Sequence, residues 1–280
     1  MEDFDHNRYG VTLARFGRIT ALLSHEAPVP FFNRILGATA GDIALLDEVL
    51  AFYRERQTPA RIDLRRRSRI GLLDRDLTRR GMVVVQQQAN VYMRVPDRIE
   101  PAFGRVRVKE IGSEEGAAFA DLYDRAYGMT GGGRRLTGFR RSSILARFGR
   151  PGWRFYTASL DDEPVAGAIM FVDRDVATLA GGATLPAARG RGCQTALLQR
   201  RLVDAHDSGC AHLVSRCVAG SASHRNLARI GMGDAFTKAI WQLPEGAWDG
   251  TAAPDHSVIT APWRTTRSSG SGRRRKRIAS

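Results

Sequence analysis

Pro186-Ala187-Ala188-Arg189-Gly190-Arg191-Gly192-Cys193-Gln194-Thr195-Ala196-Leu197-Leu198 is the stretch on which the reading of this chain turns. Residues 176–184 before it alternate like a strand. Residues 192–208 after it carry Ala196, Leu197, Leu202, Val203 and Ala205 as an apolar helical stripe. Two glycines allow a tight turn and a close backbone approach to a ligand. The first N–H groups of the following helix lack internal partners and lie at the positive end of its dipole, so the turn is an anion site. Arg189 and Arg191 add charge beside it. The pattern fits a pyrophosphate.

Outward from that turn, the second half of the chain reads as alternating strands and helices. Strands are expected at 105–110, 154–160, 165–172, 176–184, 212–218 and 236–243. Helices are expected at 114–127, with Phe119, Leu122, Tyr123 and Ala126 on one face, and at 142–148, 192–208 and 223–230. Ser223 is the expected N-cap of the last helix and Gly231 its stop. Residues 128–138, with Gly131, Gly132 and Gly133 in a row, read as a flexible loop. The first half is sparser. It has an amphipathic helix at 42–56 (Asp42 as N-cap), a strand at 60–64, a helix at 70–80 stopped by Gly81, and strands at 83–87 and 90–95. Pro96 and Pro101 mark 96–104 as a linker. Leu77-Thr78-Arg79-Arg80-Gly81-Met82 is echoed by Leu227-Ala228-Arg229-Ile230-Gly231-Met232, each a helix end, a glycine and a following strand.

The segment at 189–194 resembles motif A of the GNAT acyltransferase superfamily, whose pattern is Arg or Gln, two residues, Gly, one residue, then Gly or Ala. Arg189 and Gly192 match, and Gln194 stands where Gly or Ala is usual. The resemblance spans about 105–243, and 10–95 looks like a shortened, diverged copy without the phosphate turn. It implies an α/β fold: a mixed, mostly antiparallel sheet flanked by helices, splayed between the fourth and fifth strands of the second domain, with a smaller related N-terminal α/β domain. The expected domains are a degenerate GNAT-like unit at 1–95, the linker 96–104, an acyl-CoA-binding catalytic domain at 105–245 and a disordered basic tail at 246–280. By resemblance, Gly182, Ala183 and Thr184 pair their backbone with pantetheine, and Gly190, Arg191, Gly192, Cys193, Gln194 and Thr195, with Arg189 beside them, hold the pyrophosphate of acetyl-CoA. The first half is expected to bind no acyl-CoA. The family's catalytic Tyr falls on Leu227, its pantetheine-binding Asn on Gly220, and residues 176–184 hold no acid, so no general acid or base carries over.

The totals bound the alternatives. At 280 residues, two domains are expected. No run is apolar enough for a membrane span, and Glu2, Asp3 and Asp5 argue against a secretory signal, so a cytoplasmic protein is expected. Cys193, Cys210 and Cys217 form no C-x-x-C pair and no metal is expected. Half of the net charge of +14 sits in the seven Arg and Lys of residues 263–280. That tail has no aromatic residue after Trp263, which disfavours dedicated nucleic-acid binding and leaves weak polyanion attachment. The expected activity is transfer of an acetyl or other acyl group to an amine acceptor. The alternative is a GNAT-like acyl-CoA-binding protein without chemistry. Neither acceptor nor oligomeric state is readable.

Overall fold

In a computed structural model, the structure describes residues 10–24, 26, 32–65, 71–99, 104–127 and 133–244 (backbone alone for 133–137). The first half runs β1 (Val11–Phe16), β2 (Ile19–Ser24), β3 (Arg34–Leu36), α1 (Leu46–Arg54), β4 (Arg61–Arg65), α2 (Leu72–Arg79) and β5 (Val83–Arg94). The second runs β6 (Arg107–Ile111), α3 (Gly116–Ala126), α4 (Gly133–Leu145), β7 (Trp153–Leu160), β8 (Glu163–Asp173), β9 (Val176–Thr184), α5 (Cys193–Asp207), β10 (His212–Val218), α6 (Ala222–Arg229) and β11 (Gly233–Gln242).

The strands form one 11-stranded sheet in the order β1-β2-β3-β4-β11-β5-β10-β9-β8-β7-β6. All pairs are antiparallel except β3 with β4 and β9 with β10. Each parallel pair is bridged by a helix, α1 or α5, because parallel neighbours need a crossover. The sheet thus repeats a unit: strand, crossover helix, parallel strand, second helix, last strand. The last strands are exchanged. β5 of the first half pairs with β10 of the second, and β11 of the second pairs with β4 of the first. Each half's core is sealed by the other's strand: Ala89 and Val91 of β5 pack with Leu197 and Leu213, and Ala239 and Trp241 of β11 pack with Leu50 and Tyr53. A third cluster, around Phe119, Ile144 and Phe155, lies under α3 and α4.

The sequence echo is structural. Gly81 N–H bonds the Thr78 carbonyl and Met82 N–H the Leu77 carbonyl; Gly231 and Met232 repeat these bonds to Ala228 and Leu227. Gly81 and Gly231 have φ of +77° and +97°, the left-handed conformation that glycine takes without strain.

Several expectations are corrected. The strands expected at 83–87 and 90–95 are one 12-residue strand, β5. Pairing with β11 carries it through Gln86-Gln87-Gln88 against local propensity, and β10 joins on the other edge from Gln88 onward. β1 to β3 were not expected. The flexible loop expected at 128–138 is helical from Gly133, and 128–132 lie outside the described residues. Ser221, not Ser223, caps α6 by accepting the His224 N–H. The tail at 246–280 lies outside the described residues.

Candidate acyl-donor cleft

β9 and β10 hydrogen-bond over four residues only, from Val176↔His212 to Leu179↔Ser215. The strands then part. β9 continues along β8 through Gly181, Gly182, Ala183 and Thr184, with a bulge at Ala180. β10 continues along β5 through Arg216, Cys217 and Val218. The parting is the splay expected from the resemblance, and it leaves the inner backbone edge of 180–184 facing a cleft of about 890 Å³. Gly182, Ala183, Thr184, Arg189, Gly190, Gly192, Cys193, Gln194 and Thr195 line that cleft. Arg191 stands apart, turned outward beside Asp161 at 3.5 Å.

The turn at the cleft's mouth is built by its glycines. Gly190 and Gly192 have φ of +77° and +86°. Gly192 is the N-cap of α5, and no side chain caps the helix there. The first carbonyl taken inside the helix is that of Gly192, by Ala196 N–H at 3.0 Å, so the preceding N–H groups point at the cleft. Arg189 ties the turn down by donating to the Thr184 carbonyl (3.3 Å) and the Ala126 carbonyl (3.4 Å). Gln194, the departure from the family pattern, donates to Thr184 Oγ1 at 3.1 Å. Its amide fills the space above Gly182, where a Cβ would sit 3.0 Å from Oε1. The Cys193 side chain is buried in the core and burial pushes its thiol pKa up, so it is a packing group rather than a nucleophile.

At the inner end, Tyr123, Tyr127 and Arg201, a residue that the sequence did not single out, converge on the bulge. Arg201 of α5 is fully buried. It donates from Nη1 to the carbonyls of Ile169 (3.1 Å) and Gly181 (3.0 Å) and from Nε to Leu197 (3.0 Å). Burial pushes its pKa down to about 10, so it stays a cation at neutral pH. Tyr123 stacks on Phe119, and its hydroxyl donates to Tyr127 at 3.4 Å. Burial holds the Tyr123 phenol well above its usual pKa, which makes it a proton holder rather than a base. A side pocket of about 340 Å³ shares Tyr127, Ala180 and Arg216 with the cleft and adds Asp124, Arg147 and Trp153.

Neighbouring residues of β10 and α6 have structural roles. Leu227 is buried, and Gly220 N–H donates to His224 Nδ1 (3.0 Å), whose Nε2 meets Asp234 at 2.8 Å. With both ring nitrogens committed, His224 pins the start of α6. His212 bonds Tyr92 at the far end of β10. Asn226 lines the cleft and bonds Arg229. Among the described residues no group of three or more His, Cys, Asp or Glu could hold a metal ion, and no helix is long and apolar enough to cross a membrane.

Residues 93–215, which include β9, the glycine turn, α5 and the paired start of β10, match the family model described as "Acetyltransferase (GNAT) domain". That stretch is similar to a GNAT acetyltransferase domain. Solved structures agree with its fold. A GCN5-related N-acetyltransferase from Kribbella flavida is 18% identical with TM-score 0.60, covering 86% of this chain and 92% of its own. A second, from Sphaerobacter thermophilus, is 15% identical with TM-score 0.60, over 82% and 81%. A tandem GNAT protein from the clavulanic acid biosynthesis pathway is 14% identical with TM-score 0.57, over 83% of each chain. These likenesses run through both halves of the sheet. No curated protein matches the chain.

Proposed function

We propose that the protein is a cytoplasmic N-acyltransferase that moves an acetyl or other acyl group from coenzyme A to an amine. The observation that carries this is the splay of β9 from β10, closed at one end by an α5 N-terminus that no side chain caps. An extended pantetheine arm fits the open edge of 180–184, and the pyrophosphate suits the N–H groups at 192–195. Three free cysteines suit a reducing compartment.

In the reaction, the amine nitrogen bonds the thioester carbonyl carbon, the C–S bond breaks, and one amine proton ends on the departing thiolate. β9 offers no carboxylate, so positioning supplies much of the rate. Tyr127, exposed to the cleft, is the proposed proton donor to sulfur, with Tyr123 and the Arg201 charge orienting it. Tyr127→Phe is expected to lower kcat about 100-fold while leaving KM for the acyl donor near that of the wild type.

The buried Leu227, at the family's Tyr position, favours one second reading: a protein that binds acyl-CoA without chemistry. Calorimetric titration with acetyl-CoA and a thiol-release assay over an amine panel separate the two. Micromolar binding lost in Arg189→Ala/Gly192→Asp, with amine-dependent thiol release, supports the transferase. Binding without release supports the second reading. No binding by the wild type removes both.

A further inference from the structure

An amine attacks a thioester only as the neutral base, yet an alkylamine at neutral pH is an ammonium ion. Some group at the site must take that proton. Among the described residues that line the cleft or its side pocket, Asp124 is the only carboxylate, and there is no histidine. Cys193 and Cys217 are kept as thiols, because burial pushes their pKa up. Tyr123 is kept as a phenol for the same reason. Asp124 is the lining side chain whose ordinary form at neutral pH is a base.

Its position suits that role. Asp124 sits on α3 three residues before Tyr127, which closes the helix, so the two lie on one side and about 4.5 Å apart along the axis. Tyr127 and Ala180 line both cavities, so the side pocket opens where the proposed acid meets sulfur. The Asp124 side chain is mostly buried. Its one ionic partner among the described residues is Arg140 of α4, with Nε 3.5 Å from Oδ1, longer than the roughly 2.7–2.9 Å of a charged hydrogen bond. Burial, the largest influence, lifts the carboxyl above its usual pKa. Asp121 of its own helix adds to the rise, while Arg140 and Arg141 of α4 oppose it. Arg147 and Arg216 line the same pocket, and Arg147 lies over the Trp153 ring at 4.9 Å while donating to Ser143. A raised carboxyl is a stronger base, nearer in pKa to the ammonium. Ile144, Trp153 and Ile169 make an apolar wall. At about 340 Å³ the pocket is at the small end of ligand sites, with room for a body like a phenyl ring.

We propose that the side pocket holds the acceptor and that Asp124 is a catalytic residue, the base that takes the acceptor's ammonium proton. The substrate class is a small primary amine with an apolar body. One N–H bond of the ammonium breaks, its electron pair stays on nitrogen, and the proton joins an Asp124 oxygen. The nitrogen then bonds the thioester carbon, the C–S bond breaks, and a second proton passes from nitrogen to sulfur. Asp124 returns its proton to water before the next turnover. This role rests on the acyl-transfer reading.

The test compares 2-phenylethylamine with 2,2-difluoro-2-phenylethylamine, which has nearly the same shape and a far weaker base at nitrogen, so much more of it is neutral at a given pH. Thiol release from acetyl-CoA is measured for the wild type, Asp124→Asn and Asp124→Glu. At neutral pH, Asp124→Asn is expected to lower kcat/KM about 100-fold for phenylethylamine and less than about threefold for the fluorinated amine, with acetyl-CoA affinity in calorimetry unchanged. Raising the pH deprotonates phenylethylamine in solution and is expected to narrow its loss. Asp124→Glu keeps a carboxylate and is expected to restore most of the phenylethylamine rate. The ratio of the two amines within one sample cancels any loss of folded protein. Equal losses for both amines, or a loss that stays constant with pH, overturn the base and leave the transferase reading standing. Release with an unblocked peptide but with neither small amine overturns the pocket assignment and also leaves that reading standing. No release with any of the three removes the transferase reading and this inference with it.

Discussion

At the scale of single residues, the inner end of the cleft is set by a glycine and a buried cation. A Cβ added at Gly181 would collide with the Tyr123 hydroxyl, whereas the next nearest atom, Tyr123 Cζ, would lie at an ordinary 3.4 Å. Gly181→Ala is therefore expected to cost about 1–3 kcal/mol, as overpacking does. That lowers Tm by about 2–4 °C per kcal/mol. Tyr123→Phe, which removes only the colliding oxygen, is expected to recover most of the loss in the double variant. Thermal unfolding of the four chains checks this, and additive effects would show that the hydroxyl is not what Gly181 makes room for. The glycine turn at 189–195 was legible in the sequence because positive φ and an open helix start demand particular residue types. Arg201 was not. Arg200-Arg201 in an amphipathic helix reads as solvated charge, and only the fold shows that Arg201 points inward at carbonyls bared by the Ala180 bulge.

At the scale of elements, the two crossover units show why one half has a donor cleft and the other does not. In the second, the strands part and α5 starts uncapped. In the first, Asp42 puts a carboxylate of the chain's own where an anion would sit, bonded to the N–H and hydroxyl of Thr39. Tyr53 of the crossover helix is buried, and its hydroxyl ties down the β2–β3 pair by donating to the carbonyls of Leu22 (2.6 Å) and Arg34 (3.0 Å). Asp42→Ala is expected to cost about 0.5–2 kcal/mol of stability, as lost caps do, and to leave acetyl-CoA affinity at the wild-type value. A large loss of affinity in calorimetry would contradict a ligand-free first unit. The sheet's far edge makes a second case. Glu110 of β6 accepts from both ends of the Arg154 guanidinium (2.8 and 2.6 Å), and Arg154 reaches Asp204 of α5 at 3.2 Å. The Arg154 hydrogen bonds hold the Glu110 carboxyl below its usual pKa. A carboxyl depressed in the folded state contributes stability above its unfolded pKa, and that contribution is lost as pH falls through the folded value. Glu110→Gln should thus unfold about 2–4 °C below the wild type at pH 7, for a part-exposed pair worth about 1 kcal/mol. The gap should close in acid below the ordinary carboxylate range. Element types in the second half were legible, since its strands and helices are long and periodic. β1 to β3 were not, because short strands near an edge carry little pattern. Even the Gly17-Arg18 turn joining β1 to β2 is marked by one glycine at φ +58°.

At the scale of the whole molecule, the exchange of β5 and β11 decides what can fold alone. The sequence shows two halves and a repeated helix end, but partner choice is a long-range property that no local pattern encodes. A chain of residues 104–244 lacks β5, so β10 loses its antiparallel neighbour, and Leu197 and Leu213 lose the cover of Ala89 and Val91. β11 meanwhile loses both of its partners, β4 and β5, and becomes an unpaired strand bearing the buried Trp241 and Ile240. Bared edges of that kind pair with other chains. We therefore expect residues 104–244 to aggregate when expressed alone. Co-expressed with residues 1–99, they should assemble into a soluble one-to-one complex that binds acetyl-CoA as the intact chain does, because every strand pairing survives the cut at 100–103. Size-exclusion chromatography with light scattering reads this directly. A soluble, acetyl-CoA-binding monomer of residues 104–244 would show that the second half completes its own sheet.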